Sequence, residues 1–197
     1  RDTYVKTVDD EALLQNSITG WELKPVAYVL GLTNLILHEI DIPDYHYIDS
    51  LKKEYNSIGK KDQVDVILAN PPFGASIADG VETNFPSTYR CKESADLFVI
   101  LMLQLLKPNG RCAIVLPDGS ITGEGVKARI REKLLTDCNL HTIIRLPQTT
   151  FFPALVSTNL LFFEKGSPTN EIWYYEHNLP VGQKSYSKTK PIQFDEF

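Results

Sequence analysis

A tetrapeptide at the end of an apolar run carries the groups needed for chemistry on a planar amine. Asn70-Pro71-Pro72-Phe73 follows Val64–Ala69, a β-branched run that predicts a strand. The two prolines fix φ and keep the chain extended, so the Asn70 side-chain oxygen and the Pro71 carbonyl oxygen lie side by side. Two such acceptors can hold both hydrogens of an exocyclic amine out of the ring plane, which frees the nitrogen lone pair to attack an electrophile. Phe73 offers a stacking face for a base, and the alternative is a strand exit with Phe73 in the core.

Two further predicted strands end at acidic residues. Glu22 lies near the end of the predicted strand 18–23, and Asp49-Ser50 follows the predicted strand 45–48. Ligands of open α/β sheets bind at the carboxyl ends of strands, so Glu22 could accept ribose hydroxyls and Asp49 an adenine amino proton. The alternatives are an acid favoured by the helix dipole at Glu22 and an Asx turn at Asp49.

The rest of the chain alternates between strand and helix periodicity. This alternation predicts an α/β fold with a mostly parallel sheet and helices on both faces. Pro25 suits the first position of a helix that runs to about residue 38 with one buried face, and Ser94 suits the N-cap of a buried helix that runs to about residue 107. Strands 141–146 and 159–163 are expected to pair as neighbours, because no helical pattern separates them. The other predicted elements are strand 111–116, a helix around 126–134, and an added strand or arm after residue 166.

Composition limits the classes of function. The 197 residues include 20 Lys and Arg against 25 Asp and Glu, a net charge of −5, which excludes a generally basic nucleic-acid coat. Contact with DNA would then need a local site or a more basic partner. Three widely spaced cysteines without a CxxC pair suggest neither a disulfide framework nor a zinc site. The longest apolar run is too short to span a membrane, so a reducing, cytoplasmic setting is expected.

These segments together resemble the amino-methyltransferases of DNA, most closely the modification (M) subunits of type I restriction–modification systems. The resemblance covers nearly the whole chain in the expected order, and Asn-Pro-Pro-Phe is its most specific part. The similar segments are the catalytic strand and loop (Asp65–Gly74), the cofactor-ribose strand (Ile18–Leu23), the segment that meets the cofactor adenine (Ile48–Leu51), and a later motif that helps to hold the target base (Leu146–Pro153 followed by Ser157–Lys165).

The resemblance implies a Rossmann-like fold and methyl transfer from S-adenosylmethionine to N6 of an adenine flipped out of DNA. It further implies that the partners are DNA and a specificity (S) subunit, and that the protein does not bind a membrane. Whether a restriction (R) subunit is also a partner stays open. Phe152 is a second candidate for stacking on the base, although it could equally be a loop aromatic at the edge of the core. The implied site residues are Asn70, Pro71, Pro72 and Phe73 for catalysis, and Glu22, Leu23, Asp49 and Ser50 for the cofactor.

One family feature is missing from the first residues. The family carries a Gly-rich loop after its first strand, yet residues 1–17 contain no glycine. We therefore expect this segment to begin inside the helix that follows the loop, and so to be N-terminally truncated. Residues 1–165 would be a partial catalytic domain and residues 166–197 a C-terminal extension. Alone, the segment is expected to bind the cofactor weakly or not at all, and to be inactive.

Two alternatives remain open at this point. The Asn-Pro-Pro group would serve any planar amine, so RNA bases or a protein glutamine are other possible substrates. The missing loop instead favours a non-catalytic scaffold with the same fold. Lys184, Lys188 and Lys190 could contact DNA or a partner, or could simply be solvated.

Overall fold

The computed structural model describes residues 3–197, which divide into two compact units. The first unit ends at Lys53 and the second spans Glu54–Phe197. Each unit has its own β-sheet, of two strands in the first and five in the second.

The first unit contains a small parallel sheet. Strands β1 and β2 pair in parallel with Glu22 opposite Tyr47, so their carboxyl ends lie at the same edge. The elements of this unit are α1 (Val8–Gln15), β1 (Thr19–Glu22), α2 (Pro25–Leu37) and β2 (Asp44–Tyr47).

Two glycines bring α2 and β1 close to a tyrosine ring on β2. A Cβ atom at Gly31 would lie 2.5 Å from the Tyr45 hydroxyl oxygen, and a Cβ atom at Gly20 would overlap the same ring. Tyr28 on α2 stacks on Tyr45 with ring centroids 5.4 Å apart. The tyrosine ring therefore occupies space that only glycine leaves free, and this contact packs the helix against the sheet.

Helix α2 begins at Pro25 as predicted, but the prediction that it buries one face is wrong. None of its 13 residues is buried, and Leu37 remains 75% exposed. Two strands of four residues each are too small to cover a helix of this length.

The second unit contains a five-stranded sheet in the order β3-β4-β6-β5-β7. Val64–Ala69 forms β3 with the predicted bounds. The predicted added strand is also present, as β7, and pairs with β5. The elements of this unit are β3 (Val64–Ala69), α3 (Ser94–Leu105), β4 (Leu106–Pro117), α4 (Asp118–Thr122), α5 (Val126–Asp137), β5 (Cys138–Leu146), β6 (Thr158–Lys165) and β7 (Trp173–Glu176).

The five-stranded sheet is mixed, so the expectation of a mostly parallel sheet holds only in part. Strand β3 is parallel to β4 and β5 is parallel to β7, whereas β6 runs antiparallel to both β4 and β5. The pairing of β5 with β6 confirms the predicted neighbours. Residues 147–157 connect them without the crossover helix that a parallel pair would need.

Helix α3 forms much of the core, but its ends differ from the prediction. Glu93 occupies the N-cap position and Ser94 is the first helical residue, so Ser94 is not the N-cap. The helix ends at Leu105, because Leu106 is fully buried as the first residue of β4 and pairs with Val64. None of the helices within residues 3–197 is long and apolar enough to cross a membrane.

Candidate active site

The Asn-Pro-Pro-Phe segment leaves the carboxyl end of β3, where the ladder with β4 stops. Ala69 is the last paired residue and lies opposite Ile114. If the register continued for two residues, Pro71 would lie opposite Leu116 and next to Pro117, whose nitrogen carries no hydrogen. The neighbouring strand therefore has no N–H at residue 117 to pair with the Pro71 carbonyl.

Helix α3 anchors the residues that follow this point. The Ser94 hydroxyl donates to the Pro72 carbonyl at 3.0 Å, and the Ser94 backbone N–H donates to the Ala75 carbonyl at 3.1 Å. Gly74 between them has φ +63°, a left-handed conformation that favours glycine. Two hydrogen bonds from one residue thus fix the backbone on the C-terminal side of Pro71.

The two predicted acceptors have no hydrogen-bond partner among the described residues. The Asn70 side chain is exposed, while the Pro71 ring beside it is buried. Within residues 3–197, neither the Asn70 side-chain oxygen nor the Pro71 carbonyl accepts a hydrogen bond. Two consecutive residues therefore each carry an unpaired acceptor oxygen, and two such acceptors can bind the two hydrogens of an amino group.

Phe73 is held by an aromatic neighbour that the sequence did not single out. Its ring contacts Phe151 edge to face, with centroids 5.2 Å apart and an interplanar angle of 69°. Phe152 follows in the chain and is 48% exposed. Among the residues that the structure describes, the ring that lies against Phe73 is that of Phe151, and Phe152 makes no aromatic contact.

The four residues Thr149–Phe152 form a hydrogen-bonded turn, which we call the aromatic turn. The Phe152 N–H donates to the Thr149 carbonyl at 3.2 Å. The Thr150 hydroxyl donates to the Pro147 carbonyl at 2.7 Å, just before the turn. This turn follows β5 and so belongs to the same edge of the sheet as Asn70, because β3, β4 and β5 all run in the same direction.

In the first unit, the predicted cofactor residues lie at or just after the carboxyl ends of the paired strands β1 and β2. The Lys24 N–H donates to one oxygen of the Glu22 carboxylate at 2.6 Å. The Leu51 N–H donates to Oδ1 of Asp49 at 3.1 Å, which is the Asx turn considered from the sequence. Leu23 is exposed and Ser50 is partly buried beside these acids. In the described part of the chain, each carboxylate is oriented by one backbone N–H and keeps its other oxygen unpaired.

A polar cluster at the end of β4 was missed from the sequence. The Asp118 carboxylate accepts from Arg145 Nη2 at 2.7 Å and from Asn159 Nδ2 at 2.8 Å. Asp118 follows its strand as Asn70 follows β3, and this position after a predicted strand was the available signal. The cluster joins the ends of β4 and β5 to the start of β6, so it stabilises the edge that carries the Asn-Pro-Pro segment.

Two of the three cysteines are buried. Cys112 and Cys138 are buried free thiols, and burial raises the pKa of Cys138 to about 12. Within residues 3–197, no group of three His, Cys, Asp or Glu side chains could hold a metal ion.

Comparison with known proteins identifies relatives along the whole chain. The family model described as N-6 DNA Methylase matches residues 2–197. The methylase subunit of the type I restriction enzyme EcoEI from Escherichia coli is 49% identical over an alignment of 199 residues that covers 100% of this chain and 40% of that protein. The EcoKI methylase subunit from Escherichia coli K12 is 30% identical, over 97% of this chain and 39% of its own length.

Solved structures give the same result. A modification subunit from Vibrio vulnificus YJ016 has a TM-score of 0.93 at 42% identity, over 100% of this chain and 42% of that chain. The EcoKI M protein has a TM-score of 0.75 at 26% identity, over 97% of this chain and 41% of that one. These likenesses confirm the Rossmann-like methyltransferase fold and the predicted resemblance to modification subunits. The chain spans about two fifths of the length of these relatives, and it belongs to the N-6 DNA methylase family.

Proposed function

We propose that the protein of which these residues are part transfers a methyl group from S-adenosylmethionine to N6 of adenine in DNA. It would act as the modification subunit of a type I restriction–modification system, in the cytoplasm, with an S subunit that reads the sequence. A restriction (R) subunit would be a further partner. The observation that carries the proposal is the pair of unpaired oxygens on Asn70 and Pro71, since an amino group has two hydrogens to offer them.

The proposed reaction begins with the adenine outside the helix, because N6 in the base stack cannot reach a site within the fold. One N6 hydrogen bonds to the Asn70 side-chain oxygen and the other to the Pro71 carbonyl. S-adenosylmethionine supplies a methyl group on a positively charged sulfur. N6 would form a bond to that methyl carbon as the sulfur–carbon bond breaks, and N6 would then lose one hydrogen as a proton to solvent. Asn70 and Pro71 orient the lone pair throughout.

Aromatic contacts would hold the base during transfer. Phe73 is partly exposed and is supported from one side by Phe151, so it can present a ring to the adenine. Stacking of this kind is worth about 1–3 kcal/mol per base. The half-exposed ring of Phe152 remains the candidate for a second stacking face.

The chemistry of the first unit fits the proposed cofactor. The free oxygens of Glu22 and Asp49 are acceptors, and ribose hydroxyls and an adenine amino group are donors. The exposed Leu23 side chain would cover an apolar part of the nucleoside, and Ser50 would add a hydroxyl beside Asp49.

The test compares substrates with the full-length protein and its S subunit. Radiolabelled methyl transfer is measured on duplex DNA, on RNA of the same sequence and on a glutamine-containing protein. We expect transfer to duplex DNA at adenine N6 and loss of that transfer in Asn70→Ala. Asn170→Ala, which changes an exposed asparagine before β7, is the matched control and should keep wild-type activity. Transfer to RNA or protein alone, or none to any substrate, would refute the proposal.

A further inference from the structure

The C-terminal segment, residues 177–197, is held together by contacts among four of its side chains. Tyr186 is 1% exposed, and its hydroxyl donates to the Glu196 carboxylate. His177 Nε2 lies 2.9 Å from the Tyr186 hydroxyl oxygen and 3.3 Å from Glu196 Oε2. The Phe197 ring stacks on His177 with centroids 4.5 Å apart. A segment with little regular structure is thereby tied to a buried centre around Tyr186.

This centre bonds directly to the aromatic turn. The Tyr186 backbone N–H donates to the Thr149 hydroxyl oxygen at 2.9 Å, across 37 residues of sequence. The Thr149 carbonyl also accepts the N–H of Phe152 that closes the turn. Thr149 is therefore the residue at which the C-terminal segment and the aromatic turn are joined.

The aromatic turn also contacts the proposed catalytic loop, which contains Phe73. Phe151 lies two residues after Thr149 and packs against Phe73. A continuous set of contacts therefore runs from the buried tyrosine through one threonine hydroxyl to the ring proposed to stack on the base. These contacts are hydrogen bonds of ordinary length and one contact between rings. A shift of the C-terminal segment can therefore change the position of the Phe73 ring.

We propose that Thr149 is a positioning residue, through which the C-terminal segment sets the orientation of Phe73 for capture of the flipped base. This inference rests on the function proposed above and deepens it. Without the Thr149 hydroxyl, the turn can shift relative to the C-terminal segment, and Phe151 shifts with it. The consequence is weaker capture of DNA with no change in cofactor binding.

Three variants of the full-length protein, assembled with its S subunit, test the proposal. Thr149→Val keeps the branched shape but removes the acceptor, and Thr149→Ser keeps the hydroxyl. Thr169→Val is a matched control, because the Thr169 hydroxyl accepts the Leu140 N–H at 2.8 Å near the opposite end of β5. Steady-state kinetics on duplex DNA, S-adenosylmethionine binding and thermal unfolding are measured for each variant.

We expect Thr149→Val to lower kcat/KM for DNA by between about 5-fold and 100-fold, the range that misplacement of a catalytic group by up to 1 Å can cause. Cofactor affinity should stay within about twofold of wild type, since the turn is not part of the proposed cofactor site. Thr149→Ser should restore activity and Thr169→Val should retain it. Wild-type kinetics in Thr149→Val, or equal losses in Thr149→Val and Thr169→Val, would overturn the inference. If Asn70→Ala abolished transfer in the same assay, the proposed function would stand despite that failure.

Discussion

Replacement of Ser94 by alanine isolates the contribution of backbone position to the proposed chemistry. The change removes the hydroxyl that donates to the Pro72 carbonyl at 3.0 Å, yet it keeps the backbone bond from residue 94 to Ala75. Ser94 is 4% exposed, so the lost hydroxyl is buried, whereas Pro72 is an exposed residue. Within residues 3–197, the Ser94 side chain makes its hydrogen bond to Pro72 and not to the proposed acceptors on Asn70 and Pro71, so any effect on them is indirect.

The expected loss of stability is small. One hydrogen bond contributes about 0.5–1.5 kcal/mol net to the free energy of unfolding. Against a typical unfolding free energy of about 5–15 kcal/mol, fewer than roughly one molecule in a hundred would be unfolded. Unfolding could then lower turnover by no more than about 1%, so a larger decrease must come from altered geometry at the site.

The assay measures kcat and KM for DNA and for S-adenosylmethionine in the full-length protein with its S subunit. We expect kcat to fall by about 10-fold or more in Ser94→Ala, because a shift of less than 1 Å in the Pro71 carbonyl weakens an interaction that matters in the transition state. Cofactor affinity should not change. Ser57→Ala is the matched control, since the Ser57 hydroxyl donates to the Glu54 carbonyl at 2.7 Å before β3. Equal turnover in Ser94→Ala and wild type would refute the claim that Ser94 fixes the loop.

Two further predictions concern packing and pH. In thermal melts, Gly31→Ala should lower the unfolding temperature despite the better helix propensity of alanine. Its Cβ would lie 2.5 Å from the Tyr45 hydroxyl oxygen, and overpacking of this kind costs about 1–3 kcal/mol. Gly119→Ala in α4 is the control, because its Cβ meets open space and should not lower the unfolding temperature. The hydrogen bond from Tyr186 holds the pKa of Glu196 below its usual value of 4.5. The ionised Glu196 therefore stabilises the folded state above pH 4.5, and this contribution is lost as the pH falls through the lowered pKa of the folded state. The difference in melting temperature between wild type and Glu196→Gln should shrink from pH 5 to pH 3, and a constant difference would contradict this.

The fold was predictable where local signals agreed. Val64–Ala69 is apolar and β-branched and ends at two prolines, so both bounds of β3 follow from the sequence. The end of α3 could not be predicted in this way, because it depends on the pairing of Leu106 with Val64, which is 42 residues away. Periodicity also predicted a buried face on α2, but it cannot show whether the surrounding elements are large enough to cover that face.

The candidate site was predictable in its residue types but not in its supports. The position of Asn70 and Pro71 after a strand was readable from the chain, since proline restricts the backbone locally. The sequence did not show which of the two consecutive phenylalanines packs against Phe73. The aromatic turn is held by the hydrogen bond from Tyr186 to Thr149, and that bond spans 37 residues.

The central claim is that the side-chain oxygen of Asn70 activates the amine without taking part in cofactor binding. Single-turnover methyl transfer to duplex DNA, with cofactor affinity measured in parallel on the same preparation, tests it most directly. We predict that Asn70→Ala binds S-adenosylmethionine like wild type but transfers the methyl group at least about 10²-fold more slowly, as expected when a preorganised hydrogen-bond partner is removed from a reacting group. Asn70→Asp, which keeps an acceptor oxygen, should transfer faster than Asn70→Ala. A single-turnover rate in Asn70→Ala equal to that of wild type would contradict the account.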